Sequence, residues 1–269
     1  EPGRPAQTQS YLWLYRTGRD GPPIVLFDYQ KTRSGEHPRQ FLAGFSGYLH
    51  VDGYSAYEGL PEVTLSGCWA HARCKFDEAL KALPHSARKD GPTAAEQGLK
   101  FCNSLFEIER DLRDATPEER KAARQERSKP VLDAFKTWLD DHASLALPKT
   151  VFGQAVTYCR NQWHKLVVFL QDGRLELDNN RSERSIKPFV IGRKNWLFAN
   201  TPSGARASAI IYSIVETAKE NGLQPFAYLT YLLEQLPRLR KAGESDLHAL
   251  LPWSPTLPAA CRMPKRPGR

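Results

Sequence analysis

Apolar residues along the chain follow two periods. Near the N-terminus they gather in short runs bounded by turn residues: SYLWLYRT (10–17), PIVLFDYQ (23–30), GYLHVDGY (47–54) and VTLSGCW (63–69). These runs are rich in aromatic and β-branched residues and too short for helices, which predicts four strands. Asp20-Gly21-Pro22-Pro23 between the first two is turn chemistry and predicts a hairpin. Pro38 is placed to open a short helix over RQFLAGF. After the fourth strand the spacing lengthens. Phe76, Ala79, Leu80 and Leu83 lie on one helical face, so a helix follows that strand directly.

Residues 84–170 are charged, helical and poor in strand signals. Leu99, Cys102, Leu105, Phe106 and Leu112 form an amphipathic stripe. Thr116-Pro117-Glu118-Glu119 combines an N-cap, a proline in the first turn and early acids. Two further helices run through Val131, Phe135, Trp138 and Leu139, and through Tyr158, Trp163, Val167 and Leu170. Asp172-Gly173 is a turn, and Asp178 can cap the helix carrying NNRSERSIKP. ARASAIIYSIVETAKENG is a long helix closed by Asn221-Gly222, and PFAYLTYLLEQL is another. The stretch after Trp253 is rich in Pro and Arg and is expected to be disordered. The fold class is thus a mixed α/β core with a helical insertion and a helical C-terminal region. Its expected parts are 1–83, 84–172, 173–205, 206–253 and a tail over 254–269.

Composition narrows the function class. The 269 residues carry 38 Lys and Arg against 30 Asp and Glu, a net charge of +8, which favours a polyanionic partner such as nucleic acid over none. No apolar run reaches the roughly 20 residues that span a bilayer, and the polar start EPGRPAQTQS has no signal-peptide core. Five widely spaced cysteines in a chain of this length point to a reducing cytosol rather than a disulfide scaffold.

Two acids stand where metal chemistry would put them. Asp52 ends an apolar strand just before Gly53, where a carboxylate sits on a rigid sheet with open space ahead. The plain alternative is a strand-ending Asp-Gly turn. Glu183 lies among Arg181, Arg184 and Lys187, and shares one helical face with Asn179 and Lys187. There it is either half of a solvated Glu183–Lys187 pair or a metal-binding carboxylate on a helix whose other faces grip phosphates. The cations Arg181, Arg184, Lys187, Arg193 and Lys194, followed by Trp196 and Phe198, suit phosphate contact with base stacking. A basic surface loop is the alternative.

HVDGYSAY, GCWAHARCKFDEAL, DNNRSERSIKPFVIGRKNWLF, IIYSIVETAKENGLQPFAYL and the short LLPW at 250–253, taken in this order, resemble the transposases of insertion-sequence family 66. The resemblance covers residues 10–253 or thereabouts. It implies an RNase H-like mixed sheet, a triad of acids (DDE) interrupted by a helical insertion, and Mg²⁺ (or Mn²⁺) as cofactor. It also implies double-stranded DNA as partner, both transposon ends and target, and a homo-oligomer assembled on that DNA in the bacterial cytoplasm. By position, Asp52 resembles the second acid and Glu183 the third. Phosphodiester cleavage needs an activated water or 3′-hydroxyl and a stabilised leaving oxygen, and hard divalent ions held by carboxylates supply both.

The chain departs from the family pattern at two points. The first acid is expected on a strand ahead of the hairpin, before Glu1, so the chain as it stands is expected to be inactive alone. Asp28 falls on a strand distal to the metal site and Asp20 in a turn, and neither is taken as a substitute. Cys74 stands where the family has a basic residue. Cys68, His71 and Cys74 have a spacing that raises zinc, but no second pair accompanies them, and His71 and Arg73 are expected to line the DNA groove or cap the helix. Two alternatives to a transposase core remain open: a DNA-binding remnant without chemistry, and an RNase H-like nuclease that cuts without joining.

Overall fold

The computed structural model describes residues 9–84, 91–144, 146–196, 201–239 and 247–264. They divide into two units, one from residues 1–33 and 181–269, the other from residues 34–180. The architecture is mixed α/β, with short strands and a predominance of helix. No helix among the described residues is long and apolar enough to cross a membrane.

The first unit opens with the expected hairpin. β1 (Tyr11–Arg16) and β2 (Val25–Gln30) pair antiparallel, from Tyr11 opposite Gln30 to Arg16 opposite Val25. Thr17 N donates to the Ile24 carbonyl (3.0 Å) below the turn, where Gly21 takes a positive φ of 78°. Residues opposite each other share a face, and Leu12, Leu14, Val25, Phe27 and Tyr29 form the face that packs on Ile186, Phe189, Ala209 and Tyr212. Those last residues belong to α7 (Asn180–Trp196) and α8 (Pro202–Glu220).

The outer edge of β2 meets a helix instead of a further strand. Val25 N donates to Thr217 Oγ1 (3.0 Å) and Phe27 N to Ser213 Oγ (2.8 Å), so two hydroxyls of α8 satisfy the edge amides. Arg16 ties the hairpin to both helices, donating to Ser185 Oγ (2.5 Å) and to Glu220 Oε2 (2.6 Å). α8 stops at Asn221-Gly222, as its sequence predicts, with Gly222 at φ 69°.

α9 (Pro225–Leu239) then packs on a second small core of Ala218, Leu223, Tyr228, Leu232, Leu250, Leu257 and Cys261. Residues 254–264, expected from composition to be disordered, are placed and packed. Leu257 and Cys261 are buried, Gln224 N donates to the Cys261 carbonyl (2.8 Å), and Met263 N donates to the Gly222 carbonyl (2.8 Å). Two apolar anchors outweigh the Pro- and Arg-rich composition there.

The second unit holds α1 (Glu36–Phe41) and a parallel strand pair, β3 (Gly47–Val51) with β4 (Val63–Gly67), in register from Gly47–Val63 to Val51–Gly67. β4 leads straight into α2 (Trp69–Ala82). The expected helical stretch follows as α3 (Ala94–Asp111), α4 (Pro117–Ala123), α5 (Lys129–Ala143) and α6 (Val151–Leu166). Thr116 caps α4 as its sequence predicts, in a reciprocal capping box with Glu119, and Thr93 with Glu96 does the same for α3.

Trp69, Phe76, Phe135, Leu139, Cys159 and Leu166 are at the centre of this unit's core. The Trp69 indole donates to the Leu166 carbonyl (2.8 Å), and Trp69 N donates to the Leu177 carbonyl (3.0 Å). Gly98 is required where α3 crosses α2, because a Cβ there would lie 2.4 Å from the Phe76 ring. Between α4 and α5 the helix widens into one π-type turn, Arg124–Ser128, and Arg124 is fully buried.

Candidate active site

The strand pair of the second unit ends where Asp52 begins. Val51 is the last residue of β3 in register with β4, and Gly53 turns the chain sharply with φ 91°. That positive φ suits glycine, and the position lies close to the Gln162 side chain, 3.5 Å from where a Cβ would be. Tyr54 N donates to Asp52 Oδ1 (3.0 Å), fixing the carboxylate while Asp52 stays exposed. Oδ2 has no hydrogen-bond partner among the described residues. An ionised carboxylate held by one oxygen, with the other open to solvent, is a suitable donor for a hard cation.

His50 lies in β3, two residues before Asp52. Burial pushes its imidazole down to about 4, while its hydrogen bond to the Gly67 backbone and the charge of Asp178 oppose the shift and His71 adds to it. His50 is therefore a neutral imidazole near pH 7, and its Nε2 is buried with no hydrogen-bond partner among the described residues. Cys68, the residue before α2, accepts from Asn179 N (3.5 Å) and from the amides of Ala70 and His71, and burial pushes its thiol up to about 11. Tyr158 on α6 is raised by burial and by the nearby Cys68, Cys159 and Asp52. His50, Asp52, Cys68, His71, Tyr158 and Asp178 thus share one neighbourhood. His50 and Asp178 were not among the candidates from sequence. The alternation of the strand was the available signal for the first, and Asp178 was masked by its reading as a helix cap. It does serve at the start of α7, where its Oδ1 accepts from Asn180 N (3.0 Å).

Glu183 belongs to the other unit. It lies in the first turn of α7, where a negative charge is favoured by the helix dipole, and it is exposed. Arg184 and Lys187 are exposed as well, whereas Ser185 is buried and Ile186 and Phe189 face the hairpin core. Arg181 is half-buried, with its carbonyl accepting from Ser185 Oγ (2.9 Å). The exposed side of α7 therefore carries Glu183, Arg184 and Lys187 together. The side chains of Arg193, Lys194 and Trp196 lie outside the described residues.

His71 and Arg73 sit on different faces of α2. His71 is half-buried within electrostatic reach of His50. Arg73 is exposed and donates through Nε to Asn103 Oδ1 (2.7 Å). It lines an open cavity of about 530 Å³ between α2 and α3, with Ala70, Cys74, Asn103, Phe106, Glu107, Arg110 and Asn180. Cys68 is buried and Cys74 exposed, and no group of three or more metal-donor side chains is assembled among the described residues.

Three proteins of Sinorhizobium fredii, each called an uncharacterized protein, resemble the chain. They are y4hP, y4qI and y4jD. Each is 32% identical, over 91%, 94% and 94% of this chain and 47%, 48% and 51% of its own length respectively. The chain thus spans about half the length of these curated relatives. No solved structure matches it. Residues 1–207 match the family described as "Transposase IS66 family", and residues 213–253 match the "IS66 C-terminal element". With these two segments consecutive across most of its length, the chain belongs to the IS66 family of transposases.

Proposed function

We propose that this chain carries the DNA-cutting and strand-joining site of an IS66 transposase, with Asp52 and Glu183 as two acids of one metal-dependent centre. The observation that carries the proposal is Asp52 itself. It stands at the end of a sheet strand, its carboxylate pinned through one oxygen and open through the other. Glu183 supports it, exposed on α7 beside Arg184 and Lys187.

The donor chemistry fits Mg²⁺ or Mn²⁺, since both acids offer hard oxygens and the neutral His50 beside Asp52 adds no competing charge. Divalent ions, when bound, supply the positive charge that activates the attacking oxygen and stabilises the leaving one. The rest falls to the chain. Asp52 and Glu183 hold and orient, while Arg184 and Lys187 draw in the phosphate backbone. The antiparallel hairpin and the parallel strand pair, each a two-stranded sheet, are the proposed strands of an RNase H-like core. Transposon-end and target DNA are the proposed substrates, and an oligomer on DNA the proposed assembly.

The test is Mg²⁺-dependent cleavage of transposon-end DNA, run with the 269-residue chain and, where the reading frame continues upstream of Glu1, with the longer protein. Asp52→Asn keeps an oxygen for Tyr54 N but removes the charge. It and Glu183→Gln are expected to reduce cleavage on the order of 10²-fold or more without weakening DNA binding. Cleavage undiminished in Asp52→Asn would refute the site. DNA binding without cleavage in every form of the protein would favour a non-catalytic DNA-binding role.

A further inference from the structure

The groove between α2 and α3 has the composition of a nucleotide site, and nothing in the acid centre accounts for it. It encloses about 530 Å³, within the roughly 300–1,000 Å³ of small-ligand pockets. Two cations lie along it. Arg73 uses Nε to hold Asn103, and its terminal nitrogens have no other partner among the described residues. Arg110 is exposed and only loosely paired with Glu107, at 3.7 Å. Phe106 forms an apolar wall whose inner side packs on the unit's core, so the ring is held in place. The two carboxamides are already oriented. Asn103 Oδ1 accepts from Arg73, which leaves its Nδ2 hydrogens to donate. Asn180 Nδ2 donates to Asp178 Oδ2 (2.7 Å), which leaves its Oδ1 to accept.

We propose that this groove binds one unpaired nucleotide of a DNA strand, with its phosphate between Arg73 and Arg110, its base against Phe106, and its polar edge read by Asn103 and Asn180. A stacking ring, two cations and a directed donor and acceptor are the elements that recognise a base outside a duplex. A base inside a duplex, stacked on both faces, cannot bring its face to Phe106. Ala70 and Asn180, which line the groove, are close in sequence to His71 and Asp178, both within electrostatic reach of His50. The proposal rests on the chain being a DNA-processing protein, and it names where a strand departs from the duplex.

Cys74 supplies the probe. It lines the groove and is exposed, while Cys68, Cys102, Cys159 and Cys261 are buried, so N-ethylmaleimide should label Cys74 selectively. Its labelling rate, read by mass spectrometry, is followed with single-stranded oligo(dA) and with the blunt oligo(dA)·oligo(dT) duplex, and binding is measured separately by fluorescence anisotropy. The single strand is expected to protect Cys74, and the blunt duplex to bind without protecting it. Phe106→Leu keeps the apolar packing and should weaken single-strand binding at least about fivefold. Arg73→Ala and Arg110→Ala should each lower the salt slope by about 0.7. Duplex affinity should be unchanged in Phe106→Leu and Arg110→Ala, with circular dichroism confirming the fold of all three. A single strand that binds but leaves Cys74 open, or a duplex that protects it equally, overturns the groove assignment and leaves the DNA-processing role standing. Failure of both forms of DNA to bind would remove that role as well.

Discussion

Arg124 is the residue whose loss should most disturb the second unit. All five of its guanidinium N–H donors are used. Nε and Nη2 grip Glu109 at 2.8 and 2.7 Å, Nη1 donates to the Phe169 and Asp172 carbonyls at 2.8 and 3.0 Å, and Nη2 also reaches the Leu175 carbonyl at 2.8 Å. The guanidinium lies 5.1 Å from the centre of the Phe169 ring. The anchored loop leads to Leu177, whose carbonyl accepts from Trp69 N, and then to Asp178, so the helical insertion fixes the segment that enters the site. Arg124→Ala would leave the largely buried Glu109 carboxylate without its cation. Removing one member of such a pair costs about 3–5 kcal/mol. With a urea dependence of about 2 kcal/mol per M, the unfolding midpoint should fall by roughly 2 M. Arg124→Lys should recover only part of this, since an ammonium has three donors at one point. Glu109→Gln, combined with Arg124→Ala in a double-mutant cycle, isolates the ion pair. Urea titrations followed by tryptophan fluorescence provide the readout. A midpoint for Arg124→Ala within about 0.5 M of the parent would refute this account of the insertion.

Two further predictions concern charge. His50 has a folded pKa of about 4, below its ordinary 6.5. The unfolded chain therefore takes up the proton first, and stability should fall as pH drops from about 6.5 towards 4, with a slope approaching about 1.4 kcal/mol per pH unit. His50→Gln should remove that component in EDTA, and an imidazole resonance titrating near 6.5 in the folded chain would contradict the burial. Arg184→Ala and Lys187→Ala should each lower the log–log salt slope of duplex binding by about 0.9, and an unchanged slope would mean that the exposed side of α7 does not meet DNA.

Much of the secondary structure is legible in the sequence, because short apolar runs and amphipathic stripes report local burial. All four strand runs form strands, and Thr116 caps its helix. The run at 47–54 is cut at Val51 because Gly53 turns the chain at positive φ. Pairing is less legible, since alternation marks a strand without naming its neighbour. Nothing in an apolar helix marks Ser213 and Thr217 as the groups that satisfy the edge amides of β2. Arg120 and Arg124, in the charged stretch RKAARQERSK, look like a solvated face. They are buried because carbonyls from distant loops converge on them. Gly173 could be read as a turn, but its close approach to the Pro117 carbonyl, where a Cβ would lie 1.8 Å away, is a tertiary fact. At the candidate site, Asp52 was legible as an acid at a strand end, whereas the grouping of His50, Tyr158 and Asp178 around it depends on how α6 and the start of α7 pack.

Iron-directed cleavage of the protein backbone tests, without requiring turnover, the proposal that Asp52 and Glu183 serve one metal centre. Fe²⁺ is substituted for Mg²⁺ in the presence of duplex DNA, ascorbate and peroxide are added, and the cut positions are mapped by mass spectrometry. Cuts are expected around residues 50–54 and around 180–187 in the same sample. Both sets should be suppressed by excess Mg²⁺, and both should be lost in Asp52→Asn and in Glu183→Gln. Cuts confined to one segment, or cuts at one acid that survive substitution of the other, would contradict it.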